Sequence, residues 1–232
     1  MSTGNRQKRI LLVMSSVDEL GISGKQTGTW FHELAAPYYI LTAAGHEVVF
    51  ASPAGGEAPL DLLSMKAPFT TEYTERFLSD PVALFAARNT RKLRNIDYRT
   101  YDAVFFPGGY GLLWDLASDS FAIQLIRDFH KMGRPIAMVC HAPAILRDLK
   151  KDDGEYLIKG LKLTGFKNAE DTEIELLQHL LFSLEDELKN RGAHYQSKAN
   201  WAPNVVVDGV LMTGQSPASA VPLAAALAAR LS

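Results

Sequence analysis

Apolar runs of strand length recur along this chain, each ended by Ser, Pro, Gly or Cys and mostly separated by helix-patterned segments. That alternation constrains the fold more than any other feature. "RILLVMSS" at 9–16 is continuously apolar, as a parallel strand buried on both faces must be. A polar, Gly-rich loop follows, then "TWFHELAAPYYILTAAG", which reads as a helix closed by Gly45, then the apolar run "HEVVFASP" at 46–53. Strand, helix and strand at this spacing predict a right-handed crossover and parallel pairing. The pattern resumes with "DAVFFPGG" (102–109), the amphipathic helix "FAIQLIRDFHKMG" (121–133), the strand "PIAMVC" and a further helix "APAILRDLK". "KLTGF" (162–166), a helical region through "IELLQHLLFSLEDELKNRG" and a hairpin "NVVVDGVLMTG" turning at Asp208 and Gly209 come next. An Ala-rich helix with Ser216 as N-cap and Pro217 at its first position closes the chain. The whole predicts one doubly wound α/β sandwich over 1–232. Residues 54–100 are less regular, with helical spacing broken by Pro81, and read as an insertion forming a lid or an interface.

Composition limits the function. The 232 residues, 47% hydrophobic and 22% charged, are enough to bury a full core. No apolar run reaches the roughly 18 residues of a membrane span, and the polar, basic start has no signal-peptide pattern. A formal charge of −2 without a basic stripe argues against a nucleic-acid partner. CxxC, HExxH and GxxxxGK[ST] are all missing, so neither a metal nor a phosphate-bearing cofactor is expected. The single cysteine, Cys140, can form no internal disulfide, which fits a reducing cytoplasm.

Function in such a fold sits at the carboxyl ends of the strands. Three stretches meet there: the loop after the first strand leading to Glu33, "FPGGYG", and "VCHAP". Cys140 at a sharp strand-to-helix turn is the thiol form of a nucleophile elbow. A helix N-terminus beside it would favour the thiolate and lower its pKa below the usual value of about 8.5. The backbone N–H of His141 and one from the Gly108–Gly109 pair could hold an oxyanion, since glycine lets the backbone approach. Alone, "VCHAP" leaves a nucleophile and a small buried apolar residue equally open. The His141 ring is a general base or only a bystander to its own N–H. Glu33, by itself, reads as a solvated helix-start carboxylate complementing the dipole. Trp30, Tyr110, Trp114 and Trp201 lie near loop ends and either wall a pocket or pack the core. His32, His130, His179 and His194 read as surface or helix-face residues.

"GKQTGTWFHELAAPYYILTAAGHEVVFASPAGG", "TYDAVFFPGGYG", "PIAMVCHAPAIL", "LTGFKNAED" and "VLMTGQSPASA", in this order, resemble the ThiJ/PfpI superfamily. The closer likeness is to its heat-shock glyoxalase III-like branch, of the class I glutamine amidotransferase-like type. The resemblance implies a flavodoxin-like, mainly parallel sheet and Cys140 as nucleophile. It makes Glu33 a buried acid aimed at the thiol and held protonated. It makes His141 the residue after the nucleophile, with a third carboxylate in "FKNAEDTE". Asp171 fits best by spacing and Glu170 is its neighbour; the family more often has Glu, and a shorter arm would orient the histidine less firmly. Gly109 and His141 are the implied oxyanion donors, with Gly108, Tyr110 and Trp30 around the substrate. The implied activity is cofactor-free conversion of methylglyoxal or glyoxal, with water, to a 2-hydroxy acid such as D-lactate, with protein deglycase activity attributed to the same branch. The implied partners are a small dicarbonyl and a second copy of the chain as a homodimer. A stress-related holdase chaperone or a redox-sensing thiol protein is the alternative, and an amidotransferase or peptidase is the third reading.

Overall fold

A computed structural model describes residues 6–232; the first five residues, part of the polar start read against a signal peptide, lie outside the described residues. In chain order come β1 (Arg9–Val13), α1 (Phe31–Ala43), β2 (Glu47–Ser52), α2 (Glu72–Ser79), α3 (Pro81–Arg88) and β3 (Arg91–Lys92). They are followed by β4 (Ala103–Phe106), α4 (Ser120–Lys131), β5 (Ile136–Val139), β6 (Lys162–Leu163) and α5 (Asn168–Glu173). The chain ends with α6 (Leu184–Asn190), β7 (His194–Tyr195), β8 (Val205–Asp208), β9 (Leu211–Gly214) and α7 (Ala220–Leu231).

The seven-stranded sheet runs β3-β2-β1-β4-β5-β9-β8, and a separate two-stranded sheet pairs β6 with β7. Every pairing in the main sheet is parallel except β8 with β9. Without its two edge strands the order is that of a flavodoxin-like sheet, reversing between β1 and β4. β4 and β5 are buried at every residue, which is why their sequences are continuously apolar rather than alternating. α1 and α7 pack against each other, and α4 packs on β5. Among the described residues no helix is long and apolar enough to cross a membrane.

Residues 54–100 are tied into this frame. They supply edge strand β3, and α2 buries Phe77 among Phe31, Tyr38 and Phe50. Asp80 ends α2 and starts α3, its carboxylate accepting from the N–H groups of Val82 and Ala83, with Pro81 in the first turn where its missing N–H costs nothing. Pro81 therefore divides two helices.

Three expectations need correction. The run after Cys140 is a five-residue 3-10 turn, Ala142–Leu146, with Pro143 in its first positions, and not an α-helix. The region through "IELLQHLLF" is broken: Glu175 takes φ +57, a 3-10 turn spans Leu177–His179, and Ser183 starts α6 by accepting from the Asp186 N–H. The last helix is preceded by a 3-10 turn, Pro217–Ser219, so Ser216 and Pro217 start that turn and α7 begins at Ala220.

Candidate active site

At the end of β5 the backbone turns sharply. Cys140 has φ +61, in the left-handed region that a side chain seldom occupies. Such a residue costs on the order of 1 kcal/mol and persists only where its surroundings over-determine it. Here they do. The Cys140 N–H donates to the Gly214 carbonyl at the end of β9, and its carbonyl accepts from the Phe166 N–H after β6. The turn lifts the thiol off the line of the strand.

The glycine pair after β4 lets Glu33 reach the sulfur. A Cβ built on Gly108 would stand 2.5 Å from Cys140 Cβ and 2.7 Å from Glu33 Oε2. One on Gly109, at φ +103, would stand 2.1 Å from the Gly28 carbonyl oxygen. The Gly108 N–H donates to Glu33 Oε2 at 2.7 Å. Glu33 projects from the first turn of α1, fully buried. Its other oxygen, Oε1, has no hydrogen-bond partner among the described residues, and the carboxyl is in contact with the Cys140 thiol. Burial pushes the Glu33 carboxyl up to about 8, aided by the charge of Asp61 and opposed by the Gly108 N–H and the Cys140 contact. Glu33 is thus a neutral acid at neutral pH, not the solvated helix-start carboxylate that its sequence context alone suggests. Gly108, expected at the substrate, gives its N–H to Glu33.

Cys140 itself is only 3% exposed. Burial, and then the Glu33 carboxyl where it is ionised, push its thiol well above the ordinary value, against the backbone N–H groups of Gly109 and His141, which favour the anion. The expectation of a resting low-pKa thiolate is therefore corrected. The 3-10 turn offers little dipole, and desolvation of the anion is the larger effect. The two N–H groups foreseen as oxyanion donors do face the sulfur.

His141 Nδ1 lies 3.4 Å from Cys140 Sγ, and Nε2 lies 3.3 Å from Asp171 Oδ2. An Nε2–H donated to Asp171 leaves the Nδ1 lone pair toward the thiol, so the ring can take the proton of Sγ. Tyr110 and Phe166 flank the imidazole, with ring centroids at 4.4 and 4.7 Å. Of the two adjacent carboxylates only Asp171 faces the histidine. Glu170 accepts from the N–H groups of Lys167 and Trp201 and from Gln215 Nε2, so it ties the Trp201 loop to α5.

Around Sγ, Trp30, Phe69, Tyr110, Phe166, Ile174, Trp201 and Pro217 leave a cavity of about 10 Å³, the room of one water. Trp30, Phe69, Trp201 and Pro217 also line an outer hollow of about 300 Å³ that reaches His32 and Thr71. Trp30, Tyr110 and Trp201 therefore wall the pocket, whereas Trp114 packs beside Gly21. Phe69 and Phe166 were not singled out from the sequence. Phe166 sits in the "TGF" run beside the third carboxylate, a signal that was available. Phe69 lies in the irregular 54–100 segment and offered none. Among the described residues no three His, Cys, Asp or Glu side chains are grouped to hold a metal ion.

A strained cysteine at the carboxyl edge of a flavodoxin-like sheet, with the Glu33 carboxyl and the His141 ring beside it and Asp171 behind the ring, defines an α/β protein with a buried thiol, imidazole and carboxyl cluster. The chain belongs to the DJ-1/PfpI family, whose model matches residues 27–230. It is 30% identical over 223 residues to "Glyoxalase 3" of Candida albicans, covering 92% of this chain and 94% of that protein. It is 28% identical over 224 residues to "Glutathione-independent glyoxalase HSP31" of Saccharomyces cerevisiae, covering 92% and 93%. The crystal structure of the Francisella tularensis Rapid Encystment Protein 24 KDa superposes with a TM-score of 0.92 at 33% identity, covering 97% of this chain and all of that one.

Proposed function

We propose that the chain is a glyoxalase III-type enzyme that converts methylglyoxal or glyoxal to a 2-hydroxy acid without glutathione. The observation that carries this is the neutral Glu33 carboxyl held by Gly108 against the Cys140 thiol, with a base on the other side of the sulfur. In this reading His141 takes the thiol proton as Sγ adds to the aldehyde carbon and passes it to the carbonyl oxygen, giving a neutral hemithioacetal and freeing the ring to act as base. The Gly109 and His141 N–H groups stabilise the developing oxyanion. The C1 proton is then removed and the ketone carbon protonated, with Glu33 as donor and His141 as base. The aldehyde carbon is oxidised to a thioester as the ketone carbon is reduced to an alcohol, so no external redox partner is consumed. Water cleaves the thioester, releasing the 2-hydroxy acid and regenerating the thiol.

A resting thiol shielded by aromatic rings supports this reading over a peroxide sensor, which needs an accessible thiolate. A cytoplasmic location belongs to the same reading, supported by the single buried cysteine. The test is enzymatic assay of D- and L-lactate after incubation with methylglyoxal, free of glutathione and added metal. Turnover in the wild type and its loss in Cys140→Ser support the assignment. No lactate from correctly folded wild type removes it.

A further inference from the structure

Asp171 reaches His141 on a short arm, and its second oxygen is not free. Tyr110, next after the glycine pair, is buried, and its hydroxyl donates to Asp171 Oδ1 at 2.9 Å. Both Asp171 oxygens lie 3.3 Å from His141 Nε2, and the Tyr110 ring is tilted against the imidazole with centroids 4.4 Å apart. The terminal torsion of an aspartate is broad and two-fold, so one long bond to a histidine does not fix which way the carboxylate faces. A second donor, the Tyr110 hydroxyl on Oδ1, does. Burial, and then the Asp171 charge, push the Tyr110 phenol well above its ordinary value, so it remains a donor at working pH.

We propose that Tyr110 is a positioning residue: its hydroxyl holds the Asp171 carboxylate in register with His141 Nε2 and tempers the negative charge that the imidazole meets. The same loop carries Gly109, whose N–H faces the sulfur. One segment therefore sets both an oxyanion donor and the orientation of the base. The proposal rests on the dicarbonyl reading for its rate readout and on the thiol alone for its second readout.

The titratable groups facing the imidazole are Cys140 from the end of β5, Asp171 from α5 and Tyr110 from the loop after β4. Glu33 of α1 lies beyond the sulfur, and Asp61 is close enough to act on Tyr110. Without the Tyr110 hydroxyl the carboxylate turns more freely, and the imidazole is less often aligned to take the thiol proton.

The test is Tyr110→Phe, which keeps the ring. Measured are kcat and KM for methylglyoxal across pH, and, in the same preparations, the pH profile of Cys140 alkylation by iodoacetamide. Expected is a fall in kcat of about 10-fold at nearly constant KM. The alkylation midpoint moves up, because the imidazole no longer stands ready to take the thiol proton. In an Asp171→Asn background the same change adds nothing. A kcat within about twofold of wild type overturns the proposal, and so does a fall in kcat with the alkylation profile unmoved, which makes Tyr110 a packing residue. Additive losses with Asp171→Asn overturn it as well. If the wild type turns over no methylglyoxal, the functional reading fails, and the alkylation profiles still decide the role of Tyr110: identical profiles overturn it.

Discussion

Glu33 and Cys140 come from elements far apart in sequence and meet across a position where only hydrogen fits. A Cβ at Gly108 would lie 2.5 Å from Cys140 Cβ and 2.7 Å from Glu33 Oε2, with the Val139 carbonyl oxygen at 2.8 Å. The Glu33 oxygen ends a flexible chain and can swing aside, but Cys140 Cβ and the Val139 carbonyl are fixed by the backbone, so the backbone must move. Gly108→Ala is expected to cost about 2 kcal/mol of stability and at least about 100-fold in kcat. Thermal unfolding alongside lactate formation checks both, and a variant as active as wild type would show that the close approach is dispensable.

The proton on Glu33 sets two pH dependences. Its carboxyl titrates at about 8 when folded and at the ordinary carboxylate value when unfolded. Between those values the unfolded chain releases a proton that the folded chain keeps, so the wild type loses stability as the pH rises through that window. Glu33→Gln escapes this loss. It is expected to match wild type near about pH 4 and to exceed it by a few kcal/mol above about pH 8. Urea unfolding at both pH values measures the difference.

Activity follows the same group. Glu33 is the proton donor below its pKa, so kcat of the wild type should decline as the pH passes about 8. Glu33→Gln, unable to donate a carboxyl proton, should lose at least about 100-fold at every pH. A kcat profile that rises through pH 8 to 9 in the wild type contradicts the assigned role.

The neighbouring carboxylates should separate cleanly. Asp171→Asn is expected to lower kcat by about 10- to 100-fold with little change in unfolding temperature. Glu170→Gln weakens the ties to Lys167, Trp201 and Gln215 and is expected to cost about 1–2 kcal/mol of stability, with the chemistry at Cys140 less affected. The reverse pattern would reassign the histidine's partner.

The thiol should be slow toward reagents. Buried, and with its pKa raised, Cys140 is expected to react with iodoacetamide near about pH 7.5 at least 10-fold more slowly than free cysteine. Alkylation followed by intact mass reads this directly, since the chain has one cysteine.

The position of Cys140 at a sharp strand end and the sheet were legible because they rest on local pattern: a continuous apolar run ended by a cysteine, and strands alternating with helices. Glu33 was misread from its own surroundings because helix-start carboxylates usually meet water. Its burial is made by Gly108, 75 residues away. The protonation state of Cys140 was missed for the same reason, since Trp30, Phe69 and Trp201 close over it only in the fold. Spacing could not choose between Glu170 and Asp171, because adjacent residues on a helix point about 100° apart and the rotation of α5 is set by what packs on it. The 3-10 turn after Cys140 follows from the backbone tie between Cys140 and Phe166 and from Pro143, which helical spacing does not record.

The central claim is that dicarbonyl carbon becomes bonded to Cys140 during turnover. The direct measurement is rapid mixing of the wild type with methylglyoxal, acid quench, and peptide mass mapping over time, with lactate followed in parallel. The account predicts an adduct of one methylglyoxal mass on the Cys140 peptide that forms and decays at a rate competent for kcat, and no lactate from Cys140→Ala. Lactate produced at the wild-type rate by Cys140→Ala, or turnover without any adduct on that peptide, would contradict it.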